Sequence, residues 1–222
     1  MSAKTRTQSF DPTATFAEQD EAARLAALRT AVLPRLTMLK DAALTEATRT
    51  FSFDVEQYSD EAVTVSAQAV EIGLHPAEGD YPALRGVRTP AFRLVLSATP
   101  DGIGVMFHIN GAAEWRLFIK ALYQYRETLG EYIAEFEELY LLSEEDEDAI
   151  EELDQLFAVD VETEGFKADG CRILFPAMDY PIETDDDFDT LTSDFGSLLP
   201  FYWTLLKAAR NESVNMDRLL NG

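Results

Sequence analysis

Apolar positions along this chain recur at two spacings, one belonging to helices and one to strands. From about 14 to 49, Phe16, Leu25, Leu28, Val32, Leu36 and Leu39 repeat at helical spacing in an Ala-rich background. Pro34 removes a backbone donor inside that pattern, which predicts a kinked helix or two helices meeting near Leu33. The polar residues 1–13, ending in Asp11-Pro12-Thr13, read as a mobile N-terminal arm. Between Ala62 and Ile72, Val63 and Val65 alternate with polar neighbours and then the phase is lost. The alternation returns over 91–97, Thr99-Pro-Asp-Gly102 signals a tight turn, and 103–109 completes an antiparallel hairpin.

After Asn110-Gly111 one apolar stripe runs through Trp115, Phe118, Ile119, Leu122, Leu129, Ile133, Phe136 and Leu139, predicting a long helix over about 114–142. Ser143 then reads as the N-cap of a helix over about 144–157 that buries Ile150, Leu153 and Phe157. Val159, Val161 and Thr163 alternate with acids as a strand, and Cys171 to Phe175 is expected to pair back on it. Thr184 caps a last helix through Phe188, Leu191, Phe195, Leu198, Tyr202, Leu206 and Ala209. Pro200 lies inside that helix, and like Pro34 it predicts a bend or a break. The order of elements predicts an α+β fold, antiparallel β-hairpins packed against long amphipathic helices. A single domain is expected over 14–222, with an acidic helical segment at about 127–160 and a core holding Leu94, Val105, Phe107, Trp115, Phe118, Leu122 and Leu198.

Charge changes the picture more than composition does. The formal net charge is −23, and residues 127–194 hold 24 Asp and Glu against two bases, Lys167 and Arg172. Residues 1–126 are almost neutral. A field of that sign opposes nucleic acid and anionic membrane surfaces, so neither is expected as a partner. The N-terminus lacks the apolar core of a secretory signal, and no apolar run approaches the roughly 20 residues that span a bilayer, so a cytoplasmic protein is expected. Abundant acids with five Lys against 13 Arg also suit a possible halophile, although salt adaptation acidifies a whole surface rather than one third of a chain.

The residues that carry chemistry are few. His75 precedes a proline in a loop, and His108 lies on the hairpin, on the face opposite Val105, Phe107 and Ile109. Cys171, the single cysteine, excludes an internal disulfide; Arg172 beside it is a cation of the kind that activates a thiol. His108 and Cys171 are therefore the catalytic candidates, each with a plain structural reading beside it. Arg85, Arg88 and Arg93, with Arg116 facing them from the long helix, form a cluster able to hold a phosphate or carboxylate, or to pair with the chain's own acids, which is the expected outcome. The acidic runs 144–148 and 185–189 lack the central glycine of a calcium loop and sit where helices are expected to start, so no metal and no cofactor is expected.

Phe16-Ala-Glu-Gln-Asp20, the helix with Leu28 and Val32-Leu-Pro-Arg-Leu36, and Phe195-Gly-Ser-Leu-Leu-Pro-Phe-Tyr202 resemble a family of bacterial proteins, the YktB-like proteins. The resemblance implies a compact α+β domain and no particular activity. The chain departs from that family in its acidic insert around 140–160, and in having Arg85 and Arg88, without a histidine, before the hairpin.

Three functions compete on this basis. The leading one is a non-catalytic interaction module that offers Glu131, Glu135, Glu138, Glu144, Glu145, Glu147 and Asp148 to a basic protein partner. The second is a small-molecule-binding protein or enzyme using a cleft near His108 and Arg93, between hairpin and long helix. The third is a salt-adapted housekeeping domain without a charge-specific partner.

Overall fold

The computed structural model describes residues 9–51, 59–77, 81–84, 92–136, 138–143, 146–158 and 170–216. It is an α+β structure in which, among the described residues, seven antiparallel strands form one sheet. These are β1 (Ser59–Val65), β2 (Val70–Pro76), β3 (Phe92–Ala98), β4 (Ile103–Ile109), β5 (Tyr140–Ser143), β6 (Asp146–Ala149) and β7 (Cys171–Leu174), in the order β1-β2-β3-β4-β7-β5-β6. The helices are α1 (Thr13–Phe16), α2 (Glu21–Ala27), α3 (Leu33–Phe51), α4 (Ala112–Gln124), α5 (Arg126–Ile133), α6 (Leu153–Phe157) and α7 (Asp185–Ala209).

Helices α3, α4 and α7 pack together over one face of the sheet, with α7 against β3 and β4. That face is built from the apolar half of each strand: Ile72 and Leu74, Leu94 and Leu96, Val105 and Phe107, and Cys171 and Ile173. All seven residues expected in the core are buried. The second half of α7 is apolar on every side, and every residue from Leu198 to Leu206 is buried, which requires neighbours all round it. Tyr202 packs edge-on against Phe92 and Phe107 and shares a 2.7 Å hydrogen bond between its hydroxyl and Ser59 Oγ on the edge strand. Lys40 of α3, almost buried, pairs with Glu61 of β1 and Asp41, tying the helical layer to the same edge. Burial alone depresses that ammonium's pKa, but the two carboxylates more than offset it and the net shift is upward.

Several expectations need correction. The mobile arm expected over 1–13 is corrected where it is described, from residue 9 on; residues 1–8 lie outside the described residues. Phe10 is buried, exchanges two backbone hydrogen bonds with Ile182, and meets the edge of Tyr180. The stretch 62–72 is two strands joined by a turn in which Ser66 Oγ accepts from the amides of Gln68 and Ala69, so the lost phase marks the turn. The long helix of 114–142 ends twice. At Tyr125 the backbone leaves helical geometry, and α5 stops at Ile133. Tyr140, Leu141 and Leu142, expected in that helix, instead pair with β7 as strand β5. Ser143 is therefore the end of a strand rather than an N-cap, and Asp146–Ala149 runs back antiparallel as β6. The acidic helical segment at 127–160 reduces to α5 and the single turn of α6, whose capping box joins Glu152 and Gln155. An amphipathic stripe fits strand or helix over short runs, and the unpaired edge of β7 decided it. β7 pairs with β4 and β5; the strand expected at 159–163 lies outside the described residues.

The two prolines behave differently. Ahead of Pro34, residues Leu28–Val32 form a π-helical turn in which the Leu33 amide reaches back to the Leu28 carbonyl. Widening by one residue absorbs the donor that proline lacks. Around Pro200, where a bend or a break was expected, there is no break: α7 is continuous. The donor that Pro200 lacks would have served the Gly196 carbonyl; one residue further on, the Ser197 carbonyl accepts a 2.9 Å bond from the Tyr132 hydroxyl. Thr184 caps α7 as expected, in a capping box with Asp187.

Phe118 is fully buried against Phe107 at 5.5 Å, Trp115 and Phe201. Phe118→Ala is expected to cost about 3–5 kcal/mol of unfolding free energy in a denaturant titration. A loss under about 1 kcal/mol would contradict its place in the core.

Candidate functional site

Strand register decides which chemistry-bearing residues meet. Arg93 on β3 pairs with His108 on β4, and His108 pairs with Arg172 on β7. Because side chains alternate across a strand, all three stand on the sheet face turned away from α3, α4 and α7. The Arg93 Nε–H donates to His108 Nδ1 at 3.3 Å. His108 is nearly buried, 7% exposed, while Arg93 and Arg172 are half-buried. Gly73 on β2 leaves room beside this row, since a Cβ there would come within 3.9 Å of Arg93 Cδ.

The cleft expected between hairpin and long helix is therefore not where His108 and Arg93 are. They lie on the far face, and Arg116 is exposed on α4, which packs through Phe118 on the near face. Arg85 and Arg88 lie outside the described residues. Arg93 was expected to pair with the chain's acids, and its partner is instead His108. His75 is half-buried, its Nδ1 3.1 Å from the neighbouring Pro76 carbonyl oxygen.

Cys171 is overturned as a nucleophile by the same alternation. Arg172 follows it in sequence but points to the opposite face, so the guanidinium does not activate the thiol. The sulfur is fully buried in the core and burial pushes the thiol pKa up to about 12. At pH 8 the native protein should alkylate with iodoacetamide at least about 100-fold more slowly than the unfolded chain. Equal rates, read by mass spectrometry, would contradict the burial.

The acidic side is built around α5. Glu127 and Glu131 are exposed on α5, whose Leu129 and Ile133 on the other side are fully buried, and Glu135 and Glu138 are exposed beyond its end. Between α5 and α6 runs a groove of about 290 Å³. Its walls carry Glu127, Glu151, Glu152 and Asp154, and Gly130, Ala134 and Leu153 line it without charge. Arg126, which also lines it, is held by Tyr123 through a 3.0 Å hydrogen bond to the hydroxyl and a cation–π contact of 5.0 Å. Glu144 and Glu145 lie outside the described residues. Glu147 and Asp148 occupy β6 opposite Leu142 and Leu141, and their side chains are likewise outside what is described.

One residue escaped the sequence reading. Asp194 of α7 is half-buried, and burial, with the carboxylate of Glu138 added to it, raises its pKa to about 6. An acid at a helix position amid Phe188, Leu191, Phe195 and Leu198 was the available signal. The folded pKa lies above the ordinary carboxyl value, so the folded state binds the proton more tightly. The resulting stabilisation is complete below about pH 4 and lost as pH rises through about 6. Asp194→Asn should raise the Tm at pH 7 by about 1–3 °C and flatten the Tm profile between pH 4 and 6. An unchanged profile would remove Asp194 as a titrating group.

Among the described residues no group of His, Cys, Asp and Glu has the arrangement to hold a metal ion, and no helix is long and apolar enough to cross a membrane. No known protein family matches the chain, and no curated protein is significantly similar to it.

Proposed function

We propose that this protein is a cytoplasmic, non-catalytic interaction module that docks a basic partner in the acidic groove between α5 and α6. The observation that carries the reading is the shape of that groove. Acids from two separate elements flank small and apolar residues, which suits a segment presenting Lys or Arg beside short side chains. Glu131 on α5 and Glu135 just beyond its end extend the negative surface. A basic segment relieves the mutual repulsion of these carboxylates more specifically than salt does. Kinship with the YktB-like proteins belongs to the same proposal. It is supported by the α+β order and by burial of the residues that carry the likeness, Phe16, Leu28, Val32 and Leu36 at one end and Phe195 to Tyr202, half-buried Ser197 apart, at the other.

The test compares two neutralised variants for binding of a lysine-rich helical peptide by fluorescence anisotropy. One carries Glu127→Gln, Glu151→Gln and Asp154→Asn; the other, equal in net charge, carries Glu183→Gln, Asp185→Asn and Asp186→Asn at the start of α7. The groove variant should lose about tenfold in affinity and the α7 variant almost nothing, with association slowing as salt rises. Equal losses would show a response to total charge alone and leave the salt-adapted reading in its place.

A further inference from the structure

We infer that the row Arg93–His108–Arg172 is a binding site for a phosphate-type oxyanion, on the sheet face opposite the helices. The inference is independent of the docking groove. It begins from a mismatch between charge and pairing. The chain holds 41 acids, yet among the described residues Arg172 has no hydrogen-bond or ion-pair partner and Arg93 has only the imidazole of His108. Other bases do find carboxylates: Lys40 with Glu61 and Asp41, Lys207 and Arg210 with Glu212. Two half-buried guanidiniums on one face, neither paired with a carboxylate among the described residues, are costly in isolation and are the groups that recognise oxyanions through forked donors.

The geometry selects the kind of anion. Arg93 and Arg172 rise from strands on either side of β4, roughly 9–10 Å apart, with His108 between them. A planar carboxylate accepts one fork edge-on, whereas a tetrahedral dianion offers acceptor oxygens in several directions and can serve donors arriving from both sides. His108 acts as a positioning residue: by accepting from Arg93 Nε it fixes that guanidinium and leaves its two terminal nitrogens for a ligand. The apolar row above it, Val95, Met106 and Leu174, makes one wall of the site poor in competing carboxylates. The overall negative charge opposes any anion at long range, so affinity has to come from these local contacts and is expected in the millimolar range for inorganic phosphate alone.

The test is an amide-resolved NMR titration with inorganic phosphate and, separately, with acetate. Phosphate should shift the amides around 93, 108 and 172 and bind at least tenfold more tightly than acetate. Arg172→Gln should weaken phosphate by tenfold or more, and Arg116→Gln, on the other face, should leave it unchanged. If Arg172→Gln loses spectral dispersion, Arg172→Lys retains the charge without the fork and should weaken phosphate several-fold. Acetate binding as tightly as phosphate, phosphate shifts scattered away from the row, no saturable phosphate binding, or unaltered affinity in the folded Arg172 variant would overturn the site.

Discussion

The structure depends on how α7 is enclosed. A helix whose residues from Leu198 to Leu206 are all buried has no polar side to give to solvent, so it cannot lie on a surface. The sheet covers one side, and α3 and α4 cover others. Tyr202 shows what that enclosure demands. Its ring sits among Phe92 and Phe107, and its hydroxyl still has to find a partner, which β1 supplies as Ser59. Enclosure also surrounds Pro200, and a neighbour bonds the turn beside it. The Tyr132 hydroxyl donates to the Ser197 carbonyl in the turn that the proline crowds.

Because α3, α4 and α7 crowd one face of the sheet, the polar residues of β3, β4 and β7 fall on the other, beside Val95, Met106 and Leu174. Alternation along each strand then sorts neighbours in sequence into different environments. Cys171 goes to the core and Arg172 to the outer face; Phe107 and Ile109 go inward and His108 outward. The thiol loses its means of ionising by the same step that brings the guanidinium beside a histidine. Two residues that looked like a reactive pair become unrelated, and three that are far apart in sequence become a row.

The acidic third is distributed by the same packing. α5 is anchored through Leu129 and Ile133, so its glutamates face outward. β6, at the edge of the sheet, carries Asp146, Glu147 and Asp148, and acids along an edge strand discourage pairing with another chain. At the start of α7 the acids complement the helix dipole and close a capping box. Asp194 is the exception, an acid drawn part-way inside, where its charge is opposed by burial and by Glu138.

The fold class, the β3–β4 hairpin, the cap at Thr184, the core around Phe118 and the outward direction of Glu127, Glu131 and Glu135 were all determined by the sequence. Each rests on local periodicity or on turn and capping chemistry that a short segment carries by itself. Where α4 and α5 stop, that Tyr140–Ser143 becomes a strand, and that Phe10 is fastened to Ile182 were decided by tertiary structure. In those places a short apolar run satisfies two patterns, and the open edge of another element selects between them. The polar site followed the same division. His108 and Arg93 were legible as neighbours through the hairpin register, whereas Arg172 joined them only because β7 inserted beside β4. Register between strands distant in sequence is set by how their apolar faces meet the helices, and no segment contains that information alone.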